Sequence, residues 1–186
     1  MSKIGRKPIG IDKLTIDIKG QDIHYKGPYT SGIYNLVPEL RARVENNTIY
    51  LTASKLDDIS QKEKSMVYRQ WGLHRALLAN TLYGAAQEFE KKIEIHGLGY
   101  KATLDGKKIL FTLGYSHKID KEIPTGISVE IDKSGQKITV KSSNKNLAGQ
   151  FCSEVRSLRV PEPYKGKGIK LQEEVIMRKS AGKGKK

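Results

Sequence analysis

Apolar positions along this chain pass from strand period to helix period twice, and each passage separates a group of strands from a helix. Between Leu14 and Tyr25 they alternate loosely, at Leu14, Ile16 and Ile18 and again at Ile23 and Tyr25, with Lys19-Gly20-Gln21-Asp22 as the hairpin turn between. Gly27-Pro28 interrupts the pattern. Ile33 to Leu40 and Ala42 to Val44 then lead through Asn46-Asn47 into a short strand, Thr48 to Thr52, which predicts one antiparallel meander. Ser60-Gln61-Lys62-Glu63 has capping-box spacing, in which the serine accepts from the third helical N–H and the glutamate reaches back. Met66, Val67, Trp71, Leu77, Leu78 and Leu82 follow near helical spacing, so a helix ending near Gly84 should lay its apolar face on the sheet.

The second half repeats the plan. Lys91 to Leu104, Lys108 to Gly114, Ile127 to Ile131 and Lys137 to Lys141 read as strands, with Asp105-Gly106 and Ser134-Gly135 as hairpin turns. A helix again comes last: Leu147, Ala148, Phe151, Cys152, Val155 and Leu158 form an apolar stripe behind Asn144 as N-cap, which makes Cys152 a core residue. Val44 to Leu51 before one helix matches Val129 to Val140 before the other, with Gly72 and Arg75 answered by Gly149 and Arg156. The expected fold is therefore α+β, two tandem duplicated domains of antiparallel sheet packed on one main helix, followed by a basic tail. The expected boundaries are 1–82, 83–170 and 171–186.

Charge changes this picture from architecture toward function. The chain of 186 residues carries 34 Lys and Arg against 20 Asp and Glu, a formal +14. Residues 156 to 186 hold ten bases and three acids, half of the net charge. Cations that displace counterions from phosphates account for most non-specific affinity for nucleic acid, so a polyanionic partner is expected. The single cysteine excludes an internal disulfide and a thiolate metal cluster, and no apolar run is long enough to span a bilayer. No metal, cofactor, membrane or homo-oligomer is expected.

Motifs for chemistry fail on context. Gly97-Leu98-Gly99-Tyr100-Lys101-Ala102 satisfies G-x-G-x-x-A, but the chain continues into a hairpin instead of opening a helix, so the glycines signal a bulge or a close backbone approach. His24, His74, His96 and His117 are scattered, and Asp57-Asp58 and Glu173-Glu174 read as solvated charges. Ser116-His117 lacks the spacing of a hydrolase site. The one concentrated signal is Pro161-Glu162-Pro163-Tyr164-Lys165-Gly166-Lys167-Gly168-Ile169. It joins stiff prolines, permissive glycines, an aromatic and lysines, a composition that suits a nucleic-acid backbone and equally a Pro/Gly linker leading into a basic tail. Arg156 and Arg159 share a helix face beside it and, with Lys165, Lys167, Lys170, Arg178 and Lys179, predict a continuous basic strip. The segment Lys179 to Lys186 is expected to stay disordered until it meets its partner.

The same loop resembles the signature of the bacterial form of the large-subunit ribosomal protein six family. Met1 to Ile9, Gly97 to Ala102, Leu113-Gly114-Tyr115-Ser116-His117 and Ile123-Pro124-Thr125-Gly126-Ile127 are similar to further family segments in the correct order. The resemblance implies a non-enzymatic constituent of the large subunit that binds 23S-type ribosomal RNA near the stalk base. It implies neighbouring large-subunit proteins, translation factors acting nearby, and a cytoplasmic or organellar ribosome. Carried over by position, Tyr164, Lys165, Gly166, Lys167 and Gly168 face RNA; Arg156, Arg159, Lys170, Arg178 and Lys179 extend that surface on charge. The alternative is an adaptor whose basic loop docks on an acidic protein. Gly27-Pro28-Tyr29-Thr30-Ser31-Gly32 departs from the family's compact G-P-x-G turn.

Overall fold

The computed structural model describes residues 2–54 and 60–179. The chain divides into two compact units, Met1–Glu88 and Phe89–Lys186. Residues 83–88, expected in the second domain, thus go with the first.

The first unit contains β1 (Ile9–Gly10), β2 (Thr15–Lys19), β3 (Asp22–Lys26), β4 (Ser31–Asn35), β5 (Leu40–Glu45), β6 (Thr48–Ala53) and α1 (Gln61–Ala86). The expected single meander is two three-stranded antiparallel sheets, β2-β3-β4 and β1-β6-β5. The apolar run Ile33 to Leu40 hides the break, because Leu36 and Leu40 are both buried. Between them Pro38 has no N–H to give a ladder, and the Leu40 N–H turns back to the Val37 carbonyl. Asn46 and Asn47, at φ 45° and 61°, make the β5–β6 turn, whose two left-handed residues match the twist of the flanking strands. The capping box forms at Ser60 and Glu63. Helix α1 buries Trp71, Leu78 and Leu82 among Ile23, Leu40, Ile49 and Leu51, and the Trp71 indole N–H donates to the Leu51 carbonyl at 2.9 Å. Met66, expected on this face, is exposed.

The second unit contains β7 (Phe89–His96), β8 (Lys101–Asp105), β9 (Lys108–Thr112), β10 (Ile119–Glu122), β11 (Ser128–Ile131), β12 (Lys137–Ser142), α2 (Lys145–Ser157) and β13 (Gly168–Leu171). Its sheets run β10-β9-β8 and β11-β12-β7-β13. The expected strand Lys91 to Leu104 is cut at Gly97 to Tyr100, where the Tyr100 N–H returns to the Gly97 carbonyl and the chain changes sheet. The order β7-β12-β11 repeats β1-β6-β5, and β8-β9-β10 repeats β2-β3-β4, so the duplicated plan holds strand for strand. Strand β13 has no counterpart in the first unit among the described residues. Helix α2 is capped by Asn144, which accepts from the N–H groups of Asn146 and Leu147, and it buries Ala148, Phe151, Cys152 and Val155 on the four-stranded sheet. Burial pushes the Cys152 thiol pKa up and keeps it in the inert thiol form.

Phe151 is 1% exposed at the centre of this core. Phe151→Ala should cost about 3–5 kcal/mol in the second unit. Amide hydrogen exchange in β7 and β12 should accelerate accordingly, and unchanged protection there would contradict the packing described.

Candidate nucleic-acid interface

The Pro161 to Ile169 segment is a closed turn tied at both ends. Helix α2 stops at Ser157, and two residues later the Arg159 carbonyl accepts from the Ile169 N–H at 2.8 Å. Within the turn the Glu162 N–H donates to the Lys167 carbonyl (2.9 Å) and the Gly166 N–H to the Glu162 carbonyl (3.0 Å). Ile169, fully buried, enters the core opposite Ile95, and Gly168 sits opposite His96 in the β13–β7 ladder. Gly168 is at φ 140°, and a Cβ there would lie 2.7 Å from the Pro161 Cα and 2.8 Å from the Val160 carbonyl oxygen. Only glycine fits. Gly166 and Gly168 are both buried, so their backbone freedom shapes the turn from inside while Tyr164, Lys165 and Lys167 stand exposed on it.

The other expected cations do not form a continuous strip. Arg156 and Arg159 part company: the Arg156 guanidinium donates to both carboxylate oxygens of Glu174, at 2.8 and 2.5 Å, and is neutralised. Glu174, read from sequence as a solvated charge, is thus a structural anchor. Arg156 beside it holds its carboxyl below the ordinary range, against a smaller opposing push from burial. Lys170 is likewise paired, with Glu94 at 3.2 Å, and both side chains are largely covered. Arg159 instead stacks on the Tyr115 ring, 4.8 Å from its centroid, and the Tyr115 hydroxyl donates to the Leu158 carbonyl.

Tyr115 and Tyr100 were missed as site residues. The Tyr100 ring lies between Gly97 and Gly114, where added Cβ atoms would meet it at 2.7 and 2.9 Å, and it adjoins Arg159. The repeated Gly-Tyr pairs Gly99-Tyr100 and Gly114-Tyr115 were the available sequence signal. Arg178 and Lys179 return to the turn: the Lys179 N–H donates to the Pro163 carbonyl at 3.0 Å, and the Arg178 guanidinium covers Gly166. Of the segment Lys179 to Lys186, expected to be disordered, Lys179 is thus held on the turn, and residues 180–186 lie outside the described residues. Among the described residues, no ion pair engages Arg159, Lys165, Lys167, Arg178 or Lys179. No group of three or more His, Cys, Asp or Glu there could hold a metal ion, and no helix is long and apolar enough to cross a membrane.

Two equivalent α+β units, a large basic excess and a rigid cationic turn define a class of small, positively charged structural proteins built by duplication. The family described as Ribosomal protein L6 matches residues 96–171. Over its whole length the chain is 39% identical to the large ribosomal subunit protein uL6 of Crocosphaera subtropica, itself covered in full. It is 40% identical over 98% of its length to 99% of the uL6 of Azorhizobium caulinodans. The chain belongs to this ribosomal protein family, of bacterial type, whose role is structural and non-enzymatic.

Gly168→Ala forces backbone against backbone, so it should displace β13 and lower stability by at least about 2 kcal/mol, read by thermal unfolding; an unchanged melting temperature would contradict the close approach. The chain beyond β13 should also respond to pH. Because the folded pKa of Glu174 is depressed, its contribution is fully present above the ordinary glutamate value and is lost as pH falls through the folded value. Residues 172–179 should therefore loosen only in acid, visible as NMR shifts, and Glu174→Gln should abolish that transition and loosen them at neutral pH.

Proposed function

We propose that the chain is a structural constituent of the large subunit of a cytoplasmic ribosome, bound directly to 23S-type ribosomal RNA near the stalk base. Neighbouring large-subunit proteins share that region, and translation factors act close to it. The contact surface on this reading is the Pro161 turn. Lys165 and Lys167 neutralise phosphates, Tyr164 packs on a sugar or base, and Arg159, Arg178 and Lys179 extend the cationic field. Arg156, Lys170, Gly166 and Gly168 belong to the same site by holding its shape.

The observation that carries the reading is the sorting of charge. Cations on the frame are paired with Glu174 and Glu94, whereas those on the turn have no carboxylate partner among the described residues. Because the turn is already tied, its backbone loses little conformational entropy when the unpaired lysines meet a phosphate backbone. The chemistry they supply is phosphate neutralisation and positioning, with no bond made or broken. RNA shape, rather than a base code, is then what is recognised.

Lys165→Ala with Lys167→Ala should weaken binding to 23S ribosomal RNA and reduce the salt slope of the binding constant by about 2, one for each phosphate no longer neutralised. Filter binding across a salt series measures both. Affinity and slope equal to the parent's would remove these residues from the interface. Co-sedimentation of the chain with large subunits that survives ribonuclease digestion of the RNA would instead favour an adaptor docked on an acidic protein.

A further inference from the structure

Helix α1 is apolar on two sides, and only one of them is used inside its unit. Trp71, Leu78 and Leu82 pack into the core with the strands and Val67 is buried beside them, while Met66 and Leu73, seven residues apart on the opposite side, are 54% and 55% exposed. A surface helix of a globular protein ordinarily carries one apolar stripe, and α2 does. Beside the outward stripe runs the N-terminal arm. The Gly5 N–H donates to the Ser2 hydroxyl at 3.1 Å, and Gly5 lies so close to the Trp71 ring that a Cβ would stand 2.7 Å from it. Between arm and helix is an open groove of about 950 Å³ whose lining includes Ile4, Lys64, Tyr68, Arg69 and Leu73. Ile4 is 55% exposed.

The groove is apolar at its centre and cationic at its rim. Lys3, Lys62 and Arg69 are exposed and Lys64 is half-buried, and no ion pair engages any of them among the described residues. The one acid on α1, Glu63, is committed to the capping box, accepting from the Ser60 N–H at 2.9 Å and its hydroxyl at 2.7 Å. We propose that this face docks an acidic amphipathic helix of a neighbouring protein, its apolar side laid on Ile4, Met66 and Leu73 and its carboxylates on Lys64 and Arg69.

The chemistry selects that occupant. Aliphatic side chains neither donate to phosphates nor stack on bases, so three large exposed ones are wasted on an RNA backbone but form the apolar centre of a protein interface. A second copy of this face would bring cation against cation. An amphipathic helix seated in an apolar groove matches both the stripe and the rim.

The inference rests on the ribosomal reading above, and the test separates the two. Leu73→Cys, labelled with a benzophenone maleimide while the buried native Cys152 stays unreactive, is assembled into large subunits, irradiated and digested for mass spectrometry. The expected adduct is a peptide from an acidic helix of another subunit protein. Lys64→Glu combined with Arg69→Glu should cut its yield about tenfold without loss of co-sedimentation. Adducts to RNA alone, to a second copy or to nothing, from protein that still co-sediments, would overturn the docking inference only. An unchanged yield in the charge-reversed protein would overturn it too. Failure to co-sediment would overturn both readings.

Discussion

The pairing of β13 with β7 is the interaction on which the candidate interface depends. β7 alternates Ile93 and Ile95 into the core with Lys92, Glu94 and His96 outward, and it accepts β12 on one edge and β13 on the other. Because side chains alternate with period two, a slip of one residue would turn Ile169 out of the core and Lys170 into it. Burying an isoleucine is worth about 1.5–3 kcal/mol, so register is enforced by hydrophobic burial rather than by the charges nearby. That register fixes Gly168 opposite His96, closes the turn behind it, and leaves Tyr164, Lys165 and Lys167 with no place inside the unit.

Ion pairs then act on geometry more than on stability. The exposed pairs, such as Lys19 with Asp17, contribute within about 0–1 kcal/mol each. The bidentate Arg156–Glu174 pair is different in kind: its planar fork admits one orientation, so it directs the chain after β13 back toward the turn, where Lys179 and Arg178 join it. Lys170 on Glu94 does the same for the strand itself. Charge that is balanced holds shape, and charge left unbalanced is available to a partner.

Much of this was legible in the sequence, since hairpin turns, the capping box and the α2 stripe are local signals with local causes. Lys19-Gly20, Asn46-Asn47, Asp105-Gly106 and Ser134-Gly135 all turn where their residue types require. What stayed hidden is non-local. Gly168 to Leu171 is a strand only because β7, far earlier in the chain, has an unfilled edge, and its glycines and lysines read as a loop. β10, Ile-Asp-Lys-Glu, has no alternating apolar pattern of its own and is carried by pairing with β9 and by the packing of Ile119 on the core. Glu174 could not be told from a solvated acid until the fold brought Arg156 to it. On α1, apolar spacing alone does not say which stripe faces in, so Met66 was grouped with Val67 and Trp71.

Duplication explains why the two units can carry different surfaces on one frame. The shared part is β1-β6-β5 with α1, and β7-β12-β11 with α2; its buried positions are committed to the core and leave little room for divergence. Difference is confined to what the frame leaves open. In the second unit the outer edge of the first strand is taken by β13, so the helix ends after 13 residues and hands the chain to a turn that must return to that edge. In the first unit β1 is a two-residue edge strand, and α1 runs 26 residues with a second apolar face. A strand added at one edge thus presents cations on a rigid turn, and a lengthened helix presents an apolar stripe with a cationic rim. The same core supports both because neither surface draws on it.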